Sequence, residues 1–187
     1  RIIKKKPFDI SSYILLSDIY ISLQDYDQAI KLYNQVEKNI GEDEEISHRK
    51  QMLYLRQNKV DEAIAEGGRL IETQPLEPEY ILNQAQIMIS NQKLNDAKKL
   101  LINYLDNDPN LAEGHILLAD IYRRIGDLAS CHSELQIAFE NNSLEPEVKL
   151  QILGSYIKLV EDRSDTKAIT NAISLTQNLI NIAPKLG

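Results

Sequence analysis

The chain has 187 residues, a formal net charge of −7 and a single cysteine. Hydrophobic residues make up 43% and charged residues 26%, which is typical of a folded globular protein and excludes wholesale disorder. One cysteine excludes an internal disulfide framework, and the negative charge disfavours general nucleic-acid binding, because phosphate contacts need clustered Lys and Arg. Seven glycines and six prolines favour helices over a loop-rich β fold. No apolar run is long enough to predict insertion into a membrane.

Three sets of equivalent positions, here called columns, recur along the chain. Within each column the members are separated by the same number of residues as Tyr20 and Tyr54. One column is aromatic or Met, the second is small, and the third is mostly Pro or Gly. The columns are Tyr20, Tyr54, Met88, Tyr122 and Tyr156; Ala29, Ala63, Ala97 and Cys131; and Pro7, Gly41, Pro75, Pro109 and Ser143. A period shared by three columns predicts a repeat protein whose units stack to bury a continuous core.

Each period is predicted to contain two amphipathic helices. In the first period apolar residues recur at helical spacing from Tyr13 to Leu23, and a second helix starts after Asp25. The small column marks the place where the two helices cross closely. In chain order the predicted units are the end of a preceding repeat at 1–9, then repeats at 10–43, 44–77, 78–111, 112–145 and 146–187.

These residues resemble the tetratricopeptide repeat, a 34-residue helix–turn–helix motif. The first repeat matches with Tyr13, Leu16, Ser17, Tyr20, Ala29 and Tyr33, and the fourth with Leu118, Ala119, Tyr122, Gly126 and Asp127. The resemblance covers nearly the whole chain. It implies an all-α fold, a right-handed α-α superhelix (solenoid) of about five stacked repeats that together form one solenoid domain.

Two repeats depart from this pattern. In the second, Lys50 and Gln51 occupy columns that are normally Leu and small, and Gly67 and Gly68 fall inside its second helix, each at a cost of about 1 kcal/mol relative to Ala. This repeat is predicted to be the least stable. In the fifth, the small residue comes seven positions late, at Ala172. An extended helix would absorb the difference, but we favour a polar insertion near 161–167 followed by a helix from about Thr166.

The two ends of the chain keep the register of the repeats. Because Pro7 lies in the end-of-repeat column, Arg1–Lys6 is predicted to form the last turns of a preceding helix, and Ala183-Pro184 closes a unit without a polar capping helix. We therefore expect a segment of a longer array, one that could dimerise through its two ends.

The search for chemistry predicts no enzyme, no metal site and no cofactor. The chain contains no phosphate-binding, dinucleotide-binding, zinc-protease or nucleophile-elbow motif. His48, His115 and His132 lie in different repeats or helices; His115 is assigned to half-buried packing and Cys131 to buried helix packing. A zinc site between His115 and His132 lacks further ligands of the usual type.

The resemblance implies that the first helix of each repeat lines a concave groove that receives a peptide or a partner's helix. The groove residues implied by register, with both apolar and polar members, are Leu15, Asp18, Arg49, Met52, Arg56, Leu82, Asn83, Gln86, Ile116, Asp120 and Arg123, to which the fifth repeat adds Leu150, Gln151 and Gly154. Apolar side chains interleaved with amides and charges are what an extended peptide needs. A solvated helix face is the competing interpretation.

Chaperone-binding members of the family hold a C-terminal carboxylate with Lys and Asn side chains. The corresponding positions here carry Ile14, Asp18, Arg49, Glu79 and Asn83. Since Asp18 and Glu79 would repel a carboxylate, the chain is predicted not to bind acidic EEVD-type tails.

The leading hypothesis is a non-enzymatic scaffold for protein–protein interaction, with an unknown protein or peptide as partner. The alternative is a structural, self-assembling spacer within a larger multi-repeat protein. RNA binding, a third class, is disfavoured by the acidic composition and by the absence of a basic groove. Asn- and Ile-rich usage suggests a bacterial source, and both the cytoplasm and the bacterial periplasm or cell envelope stay open as compartments.

Overall fold

The computed structural model describes residues 10–41, 43–161 and 166–182. The predicted helix at Arg1–Lys6, the polar loop residues 162–165 and Pro184 lie outside these ranges. The described residues form helices and no strands, and α10 begins at Thr166 as predicted. The helices are α1 (Ile10–Ser22), α2 (Tyr26–Ile40), α3 (Glu44–Arg56), α4 (Val60–Thr73), α5 (Pro78–Ser90), α6 (Leu94–Leu105), α7 (Ala112–Ile125), α8 (Leu128–Glu140), α9 (Pro146–Glu161) and α10 (Thr166–Ile182).

A left-handed residue ends the first helix in each of the first four predicted repeats. These residues lie one repeat period apart: Gln24 (φ 60°), Asn58 (φ 58°), Gln92 (φ 63°) and Gly126 (φ 85°). The next main-chain N–H donates back to the carbonyl of the aromatic or Met column, for example Asp25 to Tyr20 at 2.9 Å and Lys93 to Met88 at 2.8 Å. This Schellman-type closure reverses the chain and starts the second helix within a few residues.

The chain divides into two compact units, residues 1–80 and 81–187. In the first unit α1 packs against α2, α3 packs against α4, and α2 contacts α3. Its core includes Tyr13 from α1, Ala29 and Tyr33 from α2, and Ile46 and Leu53 from α3. Consecutive helix pairs in this unit therefore share one apolar core.

A buried polar network accounts for the departures of the second predicted repeat. Lys50 Nζ lies 2.7 Å from Glu37 Oε2 and 3.1 Å from Glu66 Oε2, and the three residues come from α3, α2 and α4. Beside it, the Gln51 side-chain amide donates to the Ala63 carbonyl at 3.1 Å, and Arg69 pairs with Glu66. The two polar residues that replace apolar and small ones are thus satisfied by neighbouring helices.

In the second unit α7 packs against α8, α9 against α10, α6 against α7, and α8 against α10. One core cluster joins α7, α8, α9 and α10 and includes Cys131, Phe139, Tyr156, Ala172 and Leu175. Burial of Ala172 shows that α10 meets this core with a small residue, seven positions later than a strict repeat period would place it.

A buried lysine connects α9 to the end of α8. Lys149 Nζ donates to the carbonyls of Phe139 (2.7 Å) and Asn141 (2.8 Å), and burial lowers the pKa of its ammonium group. A cation at the carboxyl end of a helix is favoured by the helix dipole. Among the helices in the described part of the chain, none combines the length and apolar character needed to cross a membrane.

Candidate functional site

The first unit holds five of the predicted groove residues, on α1 and α3. Leu15 and Met52 are exposed, by 64% and 43%, and Arg56 is exposed as well. Arg49 Nη1 lies 3.4 Å from Asp18 Oδ1, and Arg49 Nη2 lies 2.8 Å from Glu45 Oε1. The hydrogen bond that Arg49 donates to the Glu45 carboxylate raises the pKa of Arg49. The structure thus brings Asp18 and Arg49 together as an exposed ion pair.

The second unit contains a concave pocket of about 520 Å³ between α5, α7, α8 and α9. Its polar lining is made of Gln86, Asp120, Arg123, Gln151 and Ser155. Its apolar lining includes Ile116, Leu117, Cys131, Leu135, Ile152 and Tyr156. The structure therefore gathers Gln86, Ile116, Asp120 and Arg123 of the predicted groove in one place. Leu82 and Asn83 also lie on α5 but do not line this pocket.

Two arginines share one carboxylate at the rim of the pocket. Arg123 Nε donates to Asp120 Oδ1 at 3.1 Å, and Arg124 Nε donates to Asp120 Oδ2 at 2.8 Å. Arg124 Nη1 also approaches the Ile89 carbonyl at 3.4 Å. Because two guanidinium groups face one carboxylate, this cluster carries one net positive charge; Asp120 and Arg123 line the pocket, and Arg124 lies beside Asp120 outside the lining.

The floor of the pocket offers no activated nucleophile. Cys131 is 1% exposed, and burial raises the pKa of its thiol to about 11, so the thiolate needed for nucleophilic chemistry is scarce at neutral pH. The neighbouring His132 stacks on Tyr156 with ring centroids 6.4 Å apart, and burial lowers the pKa of the imidazole. These groups pack; they do not form a nucleophile–base pair.

Comparison with known proteins identifies the repeat. Residues 10–39 match a family model described as the tetratricopeptide repeat. The tetratricopeptide repeat that the sequence resembles is thus found at these residues. It is 26% identical over 120 residues to the TPR repeat-containing thioredoxin TTL4 of Arabidopsis thaliana, a match that covers 64% of this chain but 17% of that protein.

Solved structures show the same tetratricopeptide-repeat fold at low sequence identity. A crystal structure of MamA is 14% identical with a TM-score of 0.61, covering 94% of this chain and 92% of that one. MamA 41-end from Desulfovibrio magneticus RS-1 is 12% identical with a TM-score of 0.57, covering 89% and 94%. TTC0263, a thermophilic TPR protein of Thermus thermophilus, is 16% identical with a TM-score of 0.50, covering 91% and 98%. The predicted all-α solenoid class is confirmed.

Tetratricopeptide-repeat folds generally mediate protein–protein interaction and are generally non-catalytic. The residues described by the structure contain no group of three or more His, Cys, Asp or Glu side chains placed to hold a metal ion. His115, which the sequence assigns to half-buried packing, is 7% exposed. Its Nδ1 lies 2.7 Å from Glu134 Oε2 and its Nε2 lies 3.0 Å from the Pro109 carbonyl, so both ring nitrogens are already occupied.

Some of the residues that line the pocket are absent from the groove set predicted by register. Leu117, Ile152 and Ser155 line the pocket but were not among the groove residues implied by register. The signal that would have found Ser155 is its position four residues after Gln151, which puts both on one face of α9. Leu117 holds the same register as Asn83 and Gln151, one repeat period from each.

Proposed function

We propose that this chain is a non-enzymatic interaction scaffold and that the pocket of the second unit binds an extended segment of a partner protein. The observation that supports the proposal is the pocket's composition: an apolar floor surrounded by the amides of Gln86 and Gln151 and the charges of Asp120 and Arg123. The division of the chain into five repeats of one solenoid, with the bounds given above, is part of the same proposal.

The dimensions and chemistry of the pocket suit such a ligand. Its volume of about 520 Å³ falls within the range of about 300 to 1,000 Å³ that is typical of ligand pockets. The apolar floor accepts an apolar side chain, while Gln86 and Gln151 offer donors and acceptors to the main-chain groups of an extended peptide. Because the lining comes from packed helices, little ordering entropy is lost when the ligand binds.

The proposed partner is a segment of a protein and not an acidic EEVD-type tail. In the first unit Asp18 and Glu79 stand where a carboxylate clamp would need neutral or cationic side chains. In the second unit the single surplus positive charge at the Asp120–Arg123–Arg124 cluster favours one acidic side chain next to the apolar anchor. We therefore expect a segment with one apolar anchor and one carboxylate.

Selection from a random linear dodecapeptide display library tests this function. The wild-type chain is the bait, and selected peptides are labelled with fluorescein and titrated by fluorescence polarisation. The Ser155→Arg variant places a long cation at an exposed pocket position, whereas Ser133→Arg makes the same change at an exposed position of α8 outside the pocket lining. We expect Ser155→Arg to weaken binding about a hundredfold or more and Ser133→Arg to leave it unchanged.

Circular dichroism should show that both variants keep the wild-type helix content and thermal transition. Failure to enrich any peptide, or equal binding by wild type and Ser155→Arg, would refute the pocket as a peptide site. Enrichment of peptides that lack an apolar residue would refute the proposed anchor.

A second candidate function, self-association, is favoured by the exposed face of α1. Ile19 is 49% exposed, whereas Leu53, Ile87 and Ile121 at the same register are 3%, 8% and 1% exposed. A second copy of the chain could cover Ile19 with an apolar helix face such as that of α10, where Ile173 is also exposed. Light scattering over a concentration series is expected to show growing mass for wild type and a constant monomer for Ile19→Glu; a strict wild-type monomer would refute it.

A further inference from the structure

At Gly154 no side chain covers the main chain of α9 beside the pocket. Gly154 itself is not among the residues that line the pocket, but Gln151, three residues earlier and its neighbour on the surface of α9, lines it. Gly154 lies one repeat period after Asp120, which in turn lies one period after Gln86, so the three occupy equivalent positions. The side chains of Gln86 on α5 and Asp120 on α7 line the pocket. The equivalent position therefore carries a polar side chain on α5 and α7 but no side chain on α9.

Packing and backbone geometry do not explain the glycine. A Cβ atom built at Gly154 would meet nothing within 4 Å. The glycines with positive φ among the described residues are Gly41 and Gly126, so Gly154 has an ordinary helical conformation that any residue adopts. Glycine inside a helix lowers the stability of that helix relative to alanine. Gly154 thus lowers the stability of α9 at an exposed position next to the pocket.

We infer that Gly154 determines ligand specificity by letting the main chain of a bound peptide lie directly against the backbone of α9. The inference rests on the proposed function of the pocket and adds the way in which the ligand lies in it. The ligand is an extended segment whose apolar side chain enters above Ile116 and Tyr156. Its carboxylate faces the surplus positive charge of the Arg123 and Arg124 pair on Asp120.

Close approach is the physical reason for the effect. Without a side chain at Gly154, ligand carbonyls can reach the Cα–H groups of α9 at van der Waals distance. A methyl group there would hold the ligand main chain away from the helix and lift the apolar anchor out of the pocket. A longer side chain would fill the space that the ligand needs.

The test measures stability and affinity in the same variants, because the inference predicts that they change in opposite directions. The probe is a fluorescein-labelled peptide obtained from the dodecapeptide library, together with its version in which the carboxylate is replaced by an amide. Gly154→Ala is compared with Gly68→Ala, an exchange in α4 where a new Cβ also meets nothing within 4 Å. Gly68 belongs to the first unit, whereas the pocket is lined by residues of the second.

We expect both alanine variants to raise Tm, since both remove a glycine from a helix. Gly154→Ala is expected to raise the Kd of the labelled peptide about tenfold and Gly154→Leu more than that, whereas Gly68→Ala leaves Kd unchanged. The amide version of the peptide is expected to bind more weakly than its parent to every variant.

Two results would overturn the inference while leaving the proposed function intact. The first is a Kd that Ser155→Arg raises but Gly154→Ala and Gly154→Leu do not. The second is a fall in Tm for Gly154→Ala, which would mean that the glycine serves the fold. If Ser155→Arg itself leaves Kd unchanged, the pocket is not the binding site and the proposed function fails with the inference.

Discussion

The ammonium group of Lys50 lies 2.7 Å from Glu37 Oε2, although the side chain of Lys50 is only 2% exposed. Lys50 belongs to α3 and Glu37 to α2, so the ion pair joins two consecutive helix pairs of the first unit. Glu66 of α4 approaches the same ammonium at 3.1 Å. A buried charge survives only when it is paired and hydrogen-bonded, and here one cation is shared between two carboxylates.

Removal of the Lys50 ammonium group should therefore destabilise the folded protein. Lys50→Met leaves the Glu37 carboxylate without its cation and leaves Glu66 with Arg69 alone, and we expect it to lower the free energy of unfolding by about 3 to 5 kcal/mol. Urea denaturation followed by circular dichroism measures the change. Lys59→Met is the matched control, since Lys59 pairs with Asp27 at 3.0 Å on the surface, and its effect should stay within about 1 kcal/mol. Equal losses in both variants would contradict the role assigned to burial.

Replacement of glutamine by glycine should stabilise the protein at a left-handed position between paired helices and destabilise it inside a helix. Gln92 has φ of 63°, a conformation that costs a non-glycine residue about 1 kcal/mol. Gln92→Gly should therefore raise the free energy of unfolding by about 1 kcal/mol; glycine already occupies the equivalent left-handed position at Gly126. The same exchange at Gln35, an exposed residue inside α2, should lower it by about 1 kcal/mol. Thermal denaturation of the two variants would show opposite shifts, and a loss of stability in Gln92→Gly would rule the explanation out.

The thiol of Cys131 should be nearly inert in the folded protein. Burial raises its pKa from the usual 9.0 to about 11, so the thiolate at pH 8 is about a hundredfold scarcer than in a free cysteine. We expect labelling by 5,5′-dithiobis(2-nitrobenzoate) to be slow in buffer and fast in concentrated urea, as measured by absorbance. Rapid labelling of the native chain would mean that the pocket floor is open to solvent.

The free energy of unfolding should depend on pH through Asp127, the residue that caps the start of α8. Hydrogen bonds from the Ser130 main chain (3.0 Å) and hydroxyl (2.7 Å) hold the pKa of Asp127 below its ordinary value of 3.8. Because the folded state binds the proton less readily than the unfolded state, this stabilisation is present above pH 3.8 and is lost as the pH falls through the folded value.

Asp127→Asn isolates that contribution, since Asn still caps a helix but has no proton to bind. Wild type should be more stable than the variant between pH 5 and 7, and the difference should narrow below about pH 3.8. Urea denaturation at a series of pH values measures both proteins. A difference that is constant with pH would show that the carboxylate charge contributes nothing.

The all-α fold could be predicted from the sequence because its period is carried by residues with a clear packing reason. Ala29, Ala63 and Ala97 are completely buried and Cys131 is 1% exposed, as expected where helices cross closely. The register also placed Gln86 and Asp120 among the groove residues, and both line the pocket of the second unit. Whether they bind a partner stays a prediction.

The buried charges could not be predicted from the repeat pattern. Lys50 stands in a column that is normally Leu, and its partners come from other helices, Glu37 from the one before and Glu66 from the one after. No rule of helical spacing connects such distant residues; only the packing of α2, α3 and α4 brings them together. The hydrogen bonds of His115 to Glu134 and Pro109 have the same origin, since they reach outside α7.

The hydrogen bonds of Lys149 bear on how such a protein could evolve by duplication and exchange of its units. Its acceptors are the carbonyls of Phe139 and Asn141, atoms that every residue carries. A repeat that carries this lysine would therefore keep these two hydrogen bonds after any helix that ends with the same geometry. Lys50, by contrast, requires a glutamate in the preceding helix. Exchange of the preceding repeat would thus preserve the polar contacts of Lys149 in the predicted fifth repeat, whereas the predicted second repeat keeps its ion pair to Glu37 only when it is inherited together with the first.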